Sequence, residues 1–274
     1  MPDGPTRPAS TGRLPDPRPS PGEANDFPPQ GEGSGRLLEQ VRDMTSLTPQ
    51  IAKFAPAVIL DFDGTVIDTE SAEYVSWNEI YEEFGLTLPF DRWSEAVGAG
   101  DVFDPMAYLQ SQLTHPLDRE ALLERRRARD RELSASLPLR PGIAEIIRSA
   151  HEAAIPLALA TNSRRRWVLP HLERLGIRGA FTAVVTGDDP VRPKPEPDIY
   201  LLAVERVGTR SSRAVAVEDS PNGYTAAARA GVACVAVPNA VTTRMAFPKG
   251  APIEMSVPPL ERLLALIGAT IPKG

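Results

Sequence analysis

Short continuous apolar segments alternate along this chain, from residue 57 onward, with segments whose apolar residues recur at helical spacing. The apolar segments lack the strict alternation of a half-exposed strand, so they indicate strands that are buried on both faces. We expect these strands at 57–60, 156–160, 183–185, 214–217 and 232–237. Helical spacing predicts helices at 143–153, 165–175, 197–207 and 222–230. The repeated β-α unit predicts an α/β fold, a doubly wound parallel sheet with helices on both faces.

The interval from about residue 70 to residue 137 interrupts this repetition, because it has helical periodicity and charge but no comparable strand. We interpret it as a helical insertion after the first strand. Near the end of the chain, segment 253–257 predicts a further strand or extended piece, and segment 260–267 predicts a terminal helix. The chain then divides into a core of residues 53–69 and 138–274 and an insertion of residues 70–137.

Residues 1–52 have a different composition from the rest of the chain. Ten of the 29 prolines lie in the first 50 residues, among scattered Gly, Ser, Asp and Arg. Such a segment buries too little apolar surface to offset its conformational entropy, so we predict a disordered Pro-rich tail. Met44 lies just before the foldable region and is a candidate start of translation.

The charge balance narrows the range of partners. The 274 residues include 30 Lys and Arg against 36 Asp and Glu, which gives a net charge of −6. We therefore expect neither nucleic acid nor an anionic membrane as a partner. The apolar segments are far shorter than the roughly 20 residues that a membrane-spanning helix needs. The one cysteine, Cys234, leaves no intrachain disulfide and fits a reducing, cytoplasmic compartment.

The strongest chemical signal follows the first predicted strand, where Asp61 and Asp63 are one residue apart and precede Gly64 and Thr65. Open α/β sheets bind ligands at the carboxyl ends of their strands, which is where these carboxylates lie. Carboxylate and backbone oxygens suit Mg²⁺, and paired carboxylates suit covalent catalysis in which one attacks while the other moves protons. An acidic turn is the alternative interpretation, since Asp-Gly is a common turn pair.

Three further polar segments follow later strands. Thr161 and Asn162 suit either phosphate binding or the capping of the next helix. Lys194 lies in a proline-rich frame, which suits either a charge held against a phosphate or a rigid surface loop. Glu218 and Asp219 are paired acids, which suit either a cation site or a helix-starting turn. Four such segments at successive strand ends are much less expected by chance than any one of them.

With these four segments, the sequence resembles the haloacid dehalogenase-like superfamily of phosphotransferases. Within it, the similarity is to the group with an α-helical cap that includes β-phosphoglucomutase and many small-molecule phosphatases. The resemblance runs from about residue 57 to residue 239 and includes all four motifs of the family. It implies a Rossmann-like catalytic core, residues 53–69 and 138–274, and a helical cap, residues 70–137.

The resemblance implies a catalytic role for five of these residues. Asp61 is expected to be the nucleophile that forms an aspartyl-phosphate, and Asp63 the acid that protonates the leaving group and then activates water. Thr161 and Asn162 are expected to bind the transferring phosphoryl group, and Lys194 to balance its charge against that of Asp61. This is phosphoryl transfer by positioning and charge neutralisation.

The resemblance also implies a magnesium site. Its expected ligands are the side chains of Asp61 and Asp219 and the backbone carbonyl of Asp63, with Glu218 assisting directly or through water. Because the whole site lies within one chain, we expect a monomer.

Particular residues separate the reactions known in the family. Members that cleave carbon–halogen bonds lack the second carboxylate, whereas an alkoxide leaving group benefits from an acid such as Asp63. Where the mutases have a histidine and a phosphate-gripping arginine, this chain has Glu73 and Asp101. A carboxylate repels a second phosphate. We therefore expect a Mg²⁺-dependent phosphatase that acts on a small sugar or polyol phosphate. The alternatives are a β-phosphoglucomutase-like mutase and a non-catalytic sugar-phosphate binding protein.

Two groups of side chains lie outside the four motifs. The basic segment 124–131 suits a solvated helix face with acidic partners, or one arginine that points into the cleft. The histidines fall outside every motif, and we expect ordinary surface or helix positions for them: His115, His151 and His171.

Overall fold

Five parallel strands form one sheet in the computed structural model, which describes residues 55–96 and 103–271. The strands are β1 (Ala57–Leu60), β2 (Leu157–Ala160), β3 (Ala183–Val185), β4 (Ala214–Glu218) and β5 (Ala233–Ala236). Their order is β3-β2-β1-β4-β5, so the first strand lies in the middle and the chain winds outward from it on both sides. Each predicted strand is confirmed to within one residue at either end.

Helices lie between successive strands, and the last helix follows β5. They are α1 (Thr69–Glu83), α2 (Phe90–Ala96), α3 (Pro105–Ser111), α4 (Arg119–Ser134), α5 (Ile143–Glu152), α6 (Arg165–Arg174), α7 (Asp198–Arg206), α8 (Pro221–Arg229) and α9 (Leu260–Ala265). Side-chain caps define some of their starts. Asp68 accepts a hydrogen bond from the Ser71 amide at 3.2 Å at the start of α1, and Ser220 accepts one from the Gly223 amide at 3.2 Å at the start of α8.

Each face of the sheet has its own apolar core. Val58 and Leu60 pack with α5, α6 and α9 on one face, whereas Ala57 and Ile59 pack with α7 and α8 on the other. This division follows from the strand itself, because successive side chains point to opposite faces. All four residues are fully buried. Helices on both faces confirm the doubly wound sheet.

The predicted insertion contains helices α1 to α4, with α1 packed against α4. These helices surround an apolar cluster that includes Tyr81, Trp93 and Leu109. Val241, which follows β5, joins the same cluster. The helical insertion is therefore confirmed as a structural feature, while the division of the chain at residues 70 and 137 stays a prediction.

The segment after β5 returns to the sheet edge. Ile253 forms an isolated parallel bridge with Ala236, so this segment is an extended piece and not a strand. The predicted tail, residues 1–52, and Asp101 lie outside the described residues. Every helix within 55–96 and 103–271 is too short or too polar to traverse a lipid bilayer.

Candidate active site

The carboxyl ends of three neighbouring strands meet at one edge of the sheet. Asp61 follows β1, Thr161 follows β2 and Glu218 ends β4. The strand register pairs Leu60 with Leu159 on one side and with Val217 on the other, which sets these three positions side by side. The remaining predicted site residues reach the same edge through the contacts described below.

Lys194 comes from the loop between β3 and α7 and connects two carboxylates. Its Nζ donates a hydrogen bond to Asp61 Oδ1 and another, 2.6 Å long, to Glu218 Oε1. Burial alone lowers the pKa of Lys194, but the two carboxylates outweigh burial and raise that pKa above its ordinary value. Lys194 is therefore a permanent cation. This arrangement excludes the alternative in which Lys194 belongs to a solvent-exposed loop, since its side chain is only 6% exposed.

Asp61, Glu218 and Asp219 form a buried acidic cluster in which one oxygen from each lies within 4.8 Å of the others. Burial, reinforced by the charge of Glu218, raises the pKa of Asp61 to about 8, although Lys194 acts in the opposite direction. Burial and the charges of Asp61 and Glu218 also raise the pKa of Asp219 well above its ordinary range. One lysine does not neutralise three carboxylates. A hard divalent cation with oxygen ligands fits the remaining negative charge.

Glu218 accepts hydrogen bonds from three side chains. Oε1 accepts hydrogen bonds from Lys194 and from the Tyr200 hydroxyl, and Oε2 accepts one from the Ser220 hydroxyl at 3.3 Å. Asp219 accepts from the Asn239 amide at 3.0 Å and from a hydroxyl at 3.5 Å. Glu218 thus holds Lys194, whereas Asp61 and Asp219 accept fewer side-chain hydrogen bonds among the described residues. Sequence analysis did not identify Tyr200 or Asn239, and no motif marks them.

Gly64 makes room for this cluster. Its φ of +74° favours glycine, and a Cβ at this position would lie 2.2 Å from Asp219 Oδ2 and 2.5 Å from Glu70 Oε2. The Arg140 guanidinium donates to the Gly64 carbonyl and, at 2.9 Å, to the Val237 carbonyl. Arg140 therefore ties the loop after β1 to the end of β5. It lies beyond the motifs in the sequence and was not predicted.

Asp63 lies beside the acidic cluster and accepts hydrogen bonds from four side chains. Oδ1 accepts from the Thr69 hydroxyl at 3.0 Å and from the Trp167 indole at 2.8 Å. Oδ2 accepts from the Ser163 hydroxyl at 2.5 Å and from the Thr161 hydroxyl at 3.4 Å. The carboxylate is thereby fixed in one orientation. Ser163 and Trp167 were not among the predicted site residues.

Thr161 and Asn162 do not cap the following helix. The N-cap of α6 is Arg164, which makes no side-chain cap hydrogen bond. Instead, Asn162 binds the backbone of Lys194: its Oδ1 accepts from the Lys194 amide at 2.9 Å, and its Nδ2 donates to the Lys194 carbonyl at 3.4 Å. Asn162 therefore positions the lysine.

The basic segment of α4 contributes a half-buried arginine. Arg126 donates to Glu73 at 3.3 Å, lies 3.7 Å from Asp130 and stacks 5.2 Å from the centre of the Trp77 ring. Its Nε is buried without a hydrogen-bond partner among the described residues. Burial raises the pKa of Glu73 above its ordinary value; Arg126 opposes this change, and the charges of Asp130 and Asp63 reinforce it. Acidic partners of this kind, which Arg125 and Arg129 also have in Glu83 and Glu79, fit the first interpretation of the segment; an arginine that points into the cleft stays a prediction.

His171 lies on helix α6, and a helix position is one of the two kinds expected for the histidines. It is buried on α6, where its ring lies edge-on to Trp167 with centroids 4.7 Å apart and tilted against Phe62 at 6.0 Å. It is therefore a core residue of the helix and not a surface residue.

Comparison with known proteins gives consistent results. The sequence model of a family described as haloacid dehalogenase-like hydrolase matches residues 58–237. The chain is 39% identical over 191 residues, 70% of this chain and 87% of its relative, to a putative phosphatase, YhcW, from Bacillus subtilis. It is 32% identical over 177 residues, 64% of this chain and 82% of the relative, to a phosphorylated carbohydrates phosphatase from Thermotoga maritima.

A solved structure is also similar. CbbY from Rhodobacter sphaeroides, in a complex of a variant with xylulose-(1,5)bisphosphate, matches with a TM-score of 0.57 and 30% identity. The match covers 74% of this chain and 95% of that one.

Proposed function

This chain belongs to the haloacid dehalogenase-like hydrolase family and is a phosphoric monoester hydrolase, and from that premise we propose its mechanism and substrate. The proposed reaction is Mg²⁺-dependent hydrolysis of a small sugar or polyol phosphate through an aspartyl-phosphate on Asp61. The observation that carries the proposal is the pairing of buried Asp61 with the Lys194 ammonium, two residues before a second, oriented carboxylate, Asp63.

In the first half-reaction, an oxygen of Asp61 attacks phosphorus and the bond from phosphorus to the leaving-group oxygen breaks. Asp63 gives its proton to that oxygen, so the alcohol leaves neutral. In the second half-reaction, Asp63 takes a proton from water, the water oxygen attacks the phosphorus of the aspartyl-phosphate, and Asp61 is released with inorganic phosphate. Thr161 and Asn162 hold the phosphoryl group, and Lys194 offsets its charge.

The chain's own residues supply the proposed magnesium ligands. We expect the side chains of Asp61 and Asp219 and the backbone carbonyl of Asp63 to hold the cation, with Glu218 assisting indirectly by holding Lys194. When bound, Mg²⁺ neutralises negative charge on the phosphoryl group and the acidic cluster. The buried thiol of Cys234 supports a reducing, cytoplasmic setting, and a site complete within one chain supports a monomer.

The cap supports an uncharged, hydroxyl-rich leaving group. Glu73, Arg126 and Asp130 form a charged group in the cap, which we propose faces the catalytic edge, and together they carry one positive and two negative charges. Carboxylates and a guanidinium bind hydroxyl groups well, whereas the net negative charge disfavours a second phosphate. This favours a monophosphate and argues against the mutase alternative, in which a bisphosphate occupies the same cleft.

The experiment is phosphate release from a panel of sugar, polyol and short-acid monophosphates, with Mg²⁺ and with chelator. We expect Mg²⁺-dependent release that Asp61→Asn lowers by several orders of magnitude. Asp91→Asn is the matched control, since Asp91 is an exposed carboxylate that pairs with Arg244 in the cap. A hexose 1-phosphate with added bisphosphate runs in parallel. Isomerisation without phosphate release would establish the mutase. Binding of the sugar phosphate without turnover would establish the non-catalytic sugar-phosphate binding protein.

A further inference from the structure

The Trp167 indole makes a hydrogen bond to Asp63 that differs in kind from the other three. Its Nε1–H donates to Oδ1 at 2.8 Å. Serine and threonine hydroxyls can both donate and accept, so Thr69, Thr161 and Ser163 adapt to either protonation state of Asp63. The indole N–H only donates. A proton on Oδ1 would face another proton there.

We propose that Trp167 is a positioning residue that directs the transferable proton of Asp63 to Oδ2. This inference rests on the proposed acid role of Asp63. Oδ2 faces Thr161 and Ser163, at the end of β2, which is where the phosphoryl group and its leaving oxygen are proposed to bind. With Oδ1 held as an acceptor, the acid presents its proton toward the bond that breaks.

The indole is itself held in place by the core. Trp167 lies on the first turn of α6 and packs edge-on against His171 one turn later, with ring centroids 4.7 Å apart and planes at 68°. His171 is buried against Phe62, which directly precedes Asp63 in the chain. The same packing therefore fixes both ends of the hydrogen bond, the donor through α6 and the acceptor through the loop after β1.

Other features of the sequence do not account for this arrangement. The Thr69 hydroxyl also lies within hydrogen-bond distance of Oδ1, at 3.0 Å, so the indole is not the sole donor within reach of that oxygen among the described residues. The distinguishing property of the indole N–H is that it cannot accept a hydrogen bond from a protonated Asp63. That property affects catalysis only when Asp63 acts as an acid.

The test compares kcat/KM on two leaving groups, because kcat/KM reports the steps up to the aspartyl-phosphate, in which Asp63 is the acid. Trp167→Phe keeps an aromatic ring and removes the N–H. Replacement of Trp167 by benzothienylalanine keeps the shape of the indole with sulfur in place of N–H. For both, we expect kcat/KM on a sugar phosphate to fall by roughly tenfold or more, and on 4-nitrophenyl phosphate by less than about twofold. The leaving group of 4-nitrophenyl phosphate needs no proton. The rate on this substrate therefore depends on an intact site but not on the acid.

Two results would overturn the inference. An equal loss on both substrates would make Trp167 a structural residue, and no loss on the sugar phosphate would make its N–H irrelevant. A spectroscopic readout separates this inference from the proposed function. In a proton–nitrogen NMR spectrum, the three tryptophans of the wild type should give three indole N–H signals, one of which should disappear in Trp167→Phe. In Asp63→Ala that signal should move upfield, and an unmoved signal would refute the hydrogen bond whether or not the enzyme turns over. If wild-type protein releases no phosphate while the signal moves, the proposed function fails and the contact stands.

Discussion

Removal of divalent cations should make the stability of this protein fall as pH rises from about 5.5 to about 8.5. The cause is the buried acidic cluster. Asp61 ionises near its ordinary pKa of 3.8 in the unfolded chain, whereas burial and Glu218 raise the pKa to about 8 in the folded protein. Between these values, the folded protein binds a proton that the unfolded chain does not bind. Stability from this group is therefore fully present below the unfolded pKa and is lost as pH rises through the folded pKa.

The magnitude follows from the same two pKa values. The full difference of about 4 pH units, at about 1.4 kcal/mol each, corresponds to about 6 kcal/mol for Asp61, of which about 3.5 kcal/mol is lost between pH 5.5 and full ionisation. Asp219 and Glu70 act in the same direction, because burial and neighbouring carboxylates raise their pKa values too. Lys194 does not oppose this effect, since its pKa is raised from an ordinary value of 10.5, above the pH window. In a domain of this size, such a loss lowers Tm by on the order of 10 °C.

The assay is thermal unfolding in chelator and in excess Mg²⁺ across that pH range. With Mg²⁺, the cation replaces the lost protons, so the Tm gained from Mg²⁺ should grow as pH rises. Asp61→Asn is the control that removes the titrating group, and its Tm in chelator should depend less on pH. A Tm that stays constant or rises with pH in chelator would refute the reasoning. An equally steep fall in Asp61→Asn would show that other groups cause it.

Two further predictions use matched pairs of variants. Gly64→Ala and Gly208→Ala both place a side chain at a positive φ. The added Cβ of Gly64→Ala would lie 2.2 Å from Asp219 Oδ2, whereas that of Gly208→Ala would meet no non-neighbouring atom within 4 Å among the described residues. Urea unfolding should therefore show a loss larger by about 1–3 kcal/mol for Gly64→Ala, with weaker Mg²⁺ activation, and equal losses would contradict the crowding argument. Arg126→Met should raise KM for sugar phosphates about tenfold or more, whereas Arg125→Met, on the exposed face that pairs with Glu83, should leave KM unchanged. Equal KM values for the two variants would show that Arg126 does not take part in substrate binding.

The sequence was sufficient to predict the strands and the residues at their ends. Apolar runs report strands buried on both faces, and the polar residue that ends each run identifies the ligand edge of the sheet. Contacts that join distant elements leave no such pattern. Helical periodicity indicates that one arginine in 124–131 can point inward, but the packing of α4 against α1 is what places Arg126 over the Trp77 ring. Likewise, the hydrogen bond from Trp167 to Asp63 depends on how α6 packs against the loop after β1, which spacing along the chain does not encode.

The amide of Asn162 has a consequence for how this enzyme tolerates sequence change. Because it grips Lys194 by the backbone amide and carbonyl, the position of the cation does not depend on the route the chain takes from β3. The outward part of that connection can therefore lengthen, shorten or exchange residues without moving the ammonium from Asp61. The hydrogen bonds from Asn162 thus hold Lys194 separately from the exposed part of the loop after β3. That exposed part is a suitable place for substitutions that change the surface of the enzyme.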